Sequence, residues 1–184
     1  IKQCLVGSEM CIRDSCIECH EQAESFHETG HAQTLHVVSH ASSVELLKQL
    51  TEERPDEFAL KFDAEHVTAI ATQAGDSQVE LNWCFGSGHH ARTWTGTLTG
   101  SWGQTDMLEF RWSWYNSTGQ FDVTPGQFDQ ADSGYFEHLG VLFDQPKTRR
   151  CFECHTTHVA FPGGRLDTTS VSYTHLTLPT TIEV

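Results

Sequence analysis

Between residues 58 and 124 apolar and polar side chains alternate with a period of two, which is the signature of strands with one buried face. The alternation divides into segments at 58–62, 66–72, 79–85, 93–102, 108–115 and 121–124. Ala74-Gly75-Asp76-Ser77, Trp102-Gly103-Gln104-Thr105-Asp106 and Asn116-Ser117-Thr118-Gly119 are turn clusters between them, so the segments read as an antiparallel meander. All five Trp fall in this stretch, as a small sheet or half-barrel with an aromatic core requires. Upstream the period lengthens. His27, His31 and Leu35 recur at four-residue spacing, and Ser42 followed by Glu45 opens the run Val44, Leu46, Leu47, Leu50 as a capping box opens a helix. Glu52, Glu53, Arg54, Pro55 and Asp56 then break the helical pattern. Beyond Pro125-Gly126 the chain returns to loop and short helix. The expected fold is α+β: helical or loop segments flanking an antiparallel β meander of about six strands.

Composition narrows the setting. The chain has 184 residues, 38% of them hydrophobic, with 25 acidic against 11 basic side chains and a formal net charge of -14. Its apolar runs are too short to cross a bilayer and its surface would repel phosphate backbones, so no membrane span and no nucleic-acid partner are expected. The two ends carry a peculiarity. Met10-Cys11-Ile12-Arg13-Asp14-Ser15 and Ser170-Val171-Ser172-Tyr173-Thr174-His175 can be encoded by reverse-complementary DNA, as a transposon end inserted at both edges of a sequencing fragment would produce. Residues 1–15 and 170–184 are therefore expected to be sequencing-adapter artefacts. Setting aside Lys2, Glu9, Arg13, Asp14 and Glu183 leaves 22 acidic and 9 basic residues, so the acidic character belongs to the remainder. That remainder divides into an N-terminal segment at 16–54, the β module at 55–128 and a C-terminal segment at 129–169.

The chemistry lies in a repeated pentapeptide. Cys16-Ile17-Glu18-Cys19-His20 and Cys151-Phe152-Glu153-Cys154-His155 are two copies of C-x-x-C-H, the attachment sequence for c-type haem. Two thiols three positions apart can add to the two vinyl groups of one haem, and the adjacent His is placed to ligate the iron. Other uses of paired cysteines are poorer fits. One four-cysteine zinc site from Cys16, Cys19, Cys151 and Cys154 would leave both His as bystanders. Thioredoxin-like chemistry would need a βαβ unit beside one motif, with a strand leading into it, and neither motif reads as following a strand. Disulfides within each pair would close very small loops. Cys84, alone within a strand, is expected to pack as a small buried hydrophobe.

An iron held by one His needs a second ligand or keeps an open face. Met107 is the only methionine outside the adapter-like ends, so the spare imidazoles are the candidates: His27, His31, His36, His40, His66, His89, His90, His138 and His158. His31 is favoured, then His90 and His158, alongside His20 and His155 on the proximal side. Without methionine ligation the expected potential is low.

Cys16–His20, Phe26 and Thr29-Gly30-His31-Ala32 together resemble the opening of multihaem cytochromes c of the tetrahaem nitrifier-carrier type. Gly86-Ser87-Gly88-His89-His90-Ala91-Arg92-Thr93, Trp112-Ser113-Trp114-Tyr115 and Thr124-Pro125-Gly126 are similar to the β-rich insertion that larger environmental-bacterial relatives carry between haem motifs. The resemblance implies two haem c per chain, held by Cys16, Cys19, His20, Cys151, Cys154 and His155, with His31 as a distal ligand. It implies electron transfer, with a redox partner protein or a further haem domain of the same chain as partner. Because haem is attached outside the bacterial cytoplasm, a periplasmic or extracellular location follows. Two rival classes stay open: a haem enzyme acting on small nitrogen compounds at an open iron site, and a zinc-stabilised β binding module. A meander with short turns can return to its start, with Pro55 and Pro125 as hinges, so the two haem segments are expected to be neighbours, His31 then ligating the second haem or His158 the first.

Overall fold

The computed structural model describes residues 29–30, 32–54, 58–63, 66–71, 78–99, 105–127, 139–156 and 158–171. Its frame is one antiparallel sheet. Strands β2 (Phe58–Phe62), β3 (Val67–Ala71), β4 (Gln78–Phe85), β5 (Ala91–Thr99), β6 (Thr105–Tyr115) and β7 (Gln120–Val123) follow one another in sequence order, each hydrogen-bonded to the next. This is the six-strand meander that the alternation predicts, at nearly the same positions. Two short strands extend it. β1 (Leu35–Val37) pairs with the C-terminal half of β4, placing Leu35 opposite Phe85 and His36 opposite Cys84. β8 (Gly140–Phe143) pairs with the N-terminal half of β6, beside the span occupied by β7. The α+β class with an antiparallel meander is thus present, and both flanking segments contribute a strand to the same sheet.

Among the described residues two α-helices cover it. Helix α1 (Ala41–Glu53) arises where the sequence places Val44, Leu46, Leu47 and Leu50 at helical spacing, and it buries Ser43, Leu47 and Leu50. The expected capping box is replaced: His40 is the N-cap without a side-chain cap bond, and its ring nitrogen lies 3.0 Å from the Ser42 hydroxyl. Helix α2 (Gln145–His155) opens on Asp144, whose carboxylate accepts from the Lys147 amide at 2.7 Å, with Pro146 in the first turn where no amide is needed. It follows β8 after a single residue, so the second motif does stand behind a strand, contrary to its expected setting. A βαβ unit is nevertheless absent among the described residues, because β8 pairs antiparallel with β6.

The sheet's faces differ. On one, Val79, Leu81, Cys84, Trp94, Leu108, Phe110, Trp112 and Phe121 join Leu47 and Leu50 of α1 in the main core. Phe58 of β2 meets Phe110 of β6 edge to face, ring centroids 5.5 Å apart. In a flat sheet four strand spacings would hold those strands about 19 Å apart, so the sheet is curled into a half-barrel. The other face carries Leu35, Trp83, Met107, Phe143 and Phe152 of α2. A bulge in β4 between Leu81 and Trp83 makes this possible. One extra residue reverses the parity of the strand, sending Leu81 and Cys84 to the α1 face and Trp83 and Phe85 to the α2 face.

One expected helical stretch is corrected. The four-residue spacing of His27, His31 and Leu35 suggested helix through Leu35, whereas Leu35–Val37 is strand. The exposed edge of β4 beyond the bulge offers ladder partners that a frayed helix end lacks. Beyond α2 the chain folds back, with short 3-10 turns at Pro162–Gly164 and Thr168–Ser170. Ser170 accepts from the Ala160 amide at 2.8 Å and Val171 packs against the smaller core, so the first two residues of the adapter-like tail make contacts here.

Candidate functional site

The second C-x-x-C-H occupies the last turns of α2. Helical spacing sets Cys151 against Cys154 at i, i+3 and against His155 at i, i+4, so both thiols and the imidazole belong to one side of one helix. Phe152, between them in sequence, anchors the helix: fully buried, it packs edge to face on Trp83 at 5.1 Å and on Phe85 at 5.3 Å. The His155 ring stands against Phe85 as well, centroids 5.2 Å apart. Thr156 closes the helix, its amide donating to the Phe152 carbonyl at 2.9 Å. The helix is tied to the sheet by Lys147, whose Nζ is 3.6 Å from Glu109 on β6 and whose charge also lies 4.2 Å from the Phe143 ring.

Both thiols are free, Cys151 half-buried and Cys154 exposed. Burial first, then the nearby Glu109 carboxylate, raises the pKa of Cys151, with Lys147 and Arg150 pulling the other way. A helix C-terminus also disfavours a thiolate, whereas thiol-redox motifs sit at helix N-termini. The environment therefore keeps Cys151 a neutral thiol in apolar surroundings. Around it Phe85, Val159, Phe161, Leu166 and Val171 remain only partly buried. Paired thiols, an adjacent imidazole and an apolar rim are what covalent attachment of a flat, largely apolar macrocycle demands, so these residues fit haem.

The other predicted site residues divide. Cys16, Cys19, His20 and His31 lie outside the described residues, as do His27, His138 and Pro55. His90 is exposed in the 86–90 loop and His158 is exposed just beyond α2. Met107, set aside as a ligand for its solitude, is buried in the same small core as Phe152. Cys84 is fully buried, its thiol pushed up to about 11 by desolvation, and acts as the small hydrophobe it was expected to be. No three His, Cys, Asp or Glu side chains among the described residues are grouped to hold a metal ion, and none of their helices is long and apolar enough to cross a membrane.

What the sequence pattern missed is the convergence on the C-terminal end of β4. His155 and Phe152 pack on Phe85 there, β1 pairs there, and Leu35 shares a core cluster with Phe152. Gly30 approaches so closely that a Cβ on it would stand 2.7 Å from the His89 ring. His36 also lies at this end, half-buried, its ring centroid 5.3 Å from that of His40. Its pKa is lowered to about 4, chiefly by burial and then by the Arg92 charge. Nothing in the spacing of these histidines marks the convergence, because the bulge and the β1–β4 pairing create it.

No family model, no curated protein and no solved structure matches this chain.

Proposed function

We propose that this chain is part of a c-type multihaem cytochrome that binds two haems covalently and transfers electrons. The observation that carries the reading is the second motif itself, in which two free thiols and an imidazole share one side of a helix beside a half-exposed apolar rim. A haem there would be held by Cys151 and Cys154 through thioethers and by His155 at the iron, with Phe85 fixing the imidazole plane. The bound group would supply one-electron chemistry at the iron. The polypeptide's part is to hold and desolvate it: α2 fixes the spacing of the three residues, and the partly buried aromatic and aliphatic side chains exclude water from one side. Cys16, Cys19 and His20 are the same constellation in sequence and would hold the other haem. The membership of Leu35 and Phe152 in one small core cluster supports closeness of the two haem segments, the arrangement in which His31 or His158 could serve across them. Haem attachment by thioethers implies maturation outside the cytoplasm, and the acidic surface suits a basic redox partner or a further haem domain.

Protein made with a haem-maturation system should gain about 1.2 kDa, roughly two haem groups, that survive acid-acetone extraction. It should also show a Soret band that dithionite shifts. The double variant Cys151→Ala, Cys154→Ala should retain one haem. Zinc without a Soret band overturns the proposal. A strong high-spin signal that responds to nitrite or hydroxylamine would instead move the function from electron carrier to enzyme.

A further inference from the structure

The chain has two asparagines, and the fold treats them oppositely. Asn82 lies within β4, followed by the buried Trp83. Its side chain donates to Glu80 at 2.8 Å and accepts from the Thr97 hydroxyl at 2.7 Å, and its backbone carbonyl accepts from the Val38 amide at 2.9 Å. Asn116 stands in the exposed turn between β6 and β7, followed by Ser117. That turn closes on the Tyr115 carbonyl, which accepts from the Gly119 amide at 2.9 Å and from the Thr118 hydroxyl at 3.3 Å. The Ser117 amide has no acceptor among the described residues. Residues 116–120 are all exposed, and a Cβ on Gly119 would meet nothing within 4 Å. Asn116 also ties the turn to the 86–90 loop. Its backbone amide donates to the His90 carbonyl at 2.8 Å, and its side-chain amide donates to the His89 carbonyl at 3.4 Å.

We propose that Asn116 is a site of spontaneous deamidation that releases the 86–90 loop. The Ser117 backbone nitrogen attacks Cγ of Asn116: the N–Cγ bond forms, the Cγ–Nδ2 bond breaks, and ammonia leaves with the proton that the Ser117 amide gives up. Water then opens the cyclic imide at either carbonyl, leaving aspartate or isoaspartate, so the reaction needs water and no other reactant. Attack requires the two atoms to come within about 3–3.5 Å in the right orientation. A short exposed turn with a small following residue reaches that geometry by local motion, whereas a strand held by ladder and side-chain bonds is kept from it. The products differ from asparagine where the loop is held. Either carboxylate lacks the donor that faces the His89 carbonyl and sets one acceptor against another. Isoaspartate also adds a methylene to the backbone beside the amide that bonds His90. The turn thereby loses its hold on the loop, and a chain of net charge -14 gains a further negative charge there.

The test is to hold the full chain in mildly alkaline buffer for weeks, folded and in urea, then digest it and follow each asparagine peptide by mass and by isoaspartyl methyltransferase labelling. In the folded chain the Asn116 peptide should gain about 1 Da and divide into aspartate and isoaspartate forms. It should do so at least about tenfold faster than the Asn82 peptide. In urea the gap should narrow, because only the bulk of Trp83 then protects Asn82. Ser117→Val, which crowds the attacking nitrogen, should slow conversion of Asn116 by about tenfold or more. Asn116→Asp should accelerate amide exchange across 86–90 by about tenfold while β2 and β3 stay as protected as before. Equal rates at Asn82 and Asn116 in the folded chain, or an unconverted Asn116 there while the chain in urea converts, overturns the site. Unchanged exchange across 86–90 in Asn116→Asp overturns the release of the loop.

Discussion

The two faces of the sheet are built from the same strands to different standards. The α1 face is closed: the curl brings β2 over β6, α1 lays Leu47 and Leu50 into the trough, and Trp94 at its centre is fully buried, its indole donating to Ser43 at 2.9 Å. The α2 face is thin. Among the described residues five side chains are buried there, and Phe85, Val159, Phe161, Leu166 and Val171 stay partly open, as does Cys151. Away from α2 the same strands bury hydroxyls, with Ser113 bridging Thr93 at 2.6 Å and Thr124 at 2.8 Å. The contrast assigns stability to one face and leaves the other with apolar surface that a cofactor could cover.

The sharpest way to break this comparison is at the centre of the closed face. Trp94→Ala should cost about 3–5 kcal/mol, because it opens a large cavity and strands the Ser43 hydroxyl. Urea unfolding should show the whole sheet losing stability together. On the thin face Phe152→Ala should cost nearer 3 kcal/mol, the low end for a buried Phe, since a half-open layer can relax into the space. Its effect should also be local. Amide exchange should accelerate in α2 and β8 while β2 to β5 stay protected. Equal, global loss from both variants would mean that the faces form one cooperative unit, and the division of roles drawn here would fall.

How far this arrangement is legible in the sequence varies with the range of the interaction. The six meander strands were, because alternation such as Val79 and Leu81 against Gln78, Glu80 and Asn82 is a local property. β1 and β8 were not. Leu35-His36-Val37 and Gly140-Val141-Leu142-Phe143 are too short to alternate usefully, and they become strands only where β4 and β6 leave an edge open. The bulge after Leu81 was equally hidden, although Leu81-Asn82-Trp83-Cys84-Phe85 breaks strict alternation and is where the signal lay. For the site, the pentapeptide was readable because haem attachment is encoded in consecutive residues. The hold of Asn116 on the 86–90 loop was not, since His89 lies 27 residues away from Asn116 and meets it only through the fold.

The smallest expected effect concerns the rim of the closed face, where His36 feels the charges of Arg92 and His40 and its ring donates to the Gln33 backbone carbonyl. The first two causes of its low pKa, burial and the Arg92 charge, both penalise the imidazolium, and His40 adds to them when charged. The folded protein therefore binds fewer protons at this site than the unfolded chain does between pH 6.5 and about 4. Stability rises with pH wherever the unfolded state holds more protons. The contribution of His36 should accordingly be constant above pH 6.5, decline as the pH falls toward about 4, and level off below that. Because the ring is partly exposed, water screens it and the decline should stay within about 1 kcal/mol. On the thin face the Cys151 thiol shifts the other way, upward and away from neutrality. Urea midpoints of the native chain and His36→Gln, compared at pH 7.5, 5.5 and 4.5, isolate the term, since every other carboxylate and imidazole is common to both. The variant should gain on the native chain as the pH falls. A constant difference across the three would mean that His36 protonates as readily folded as unfolded, and that the rim of the closed face is as wet as the thin one.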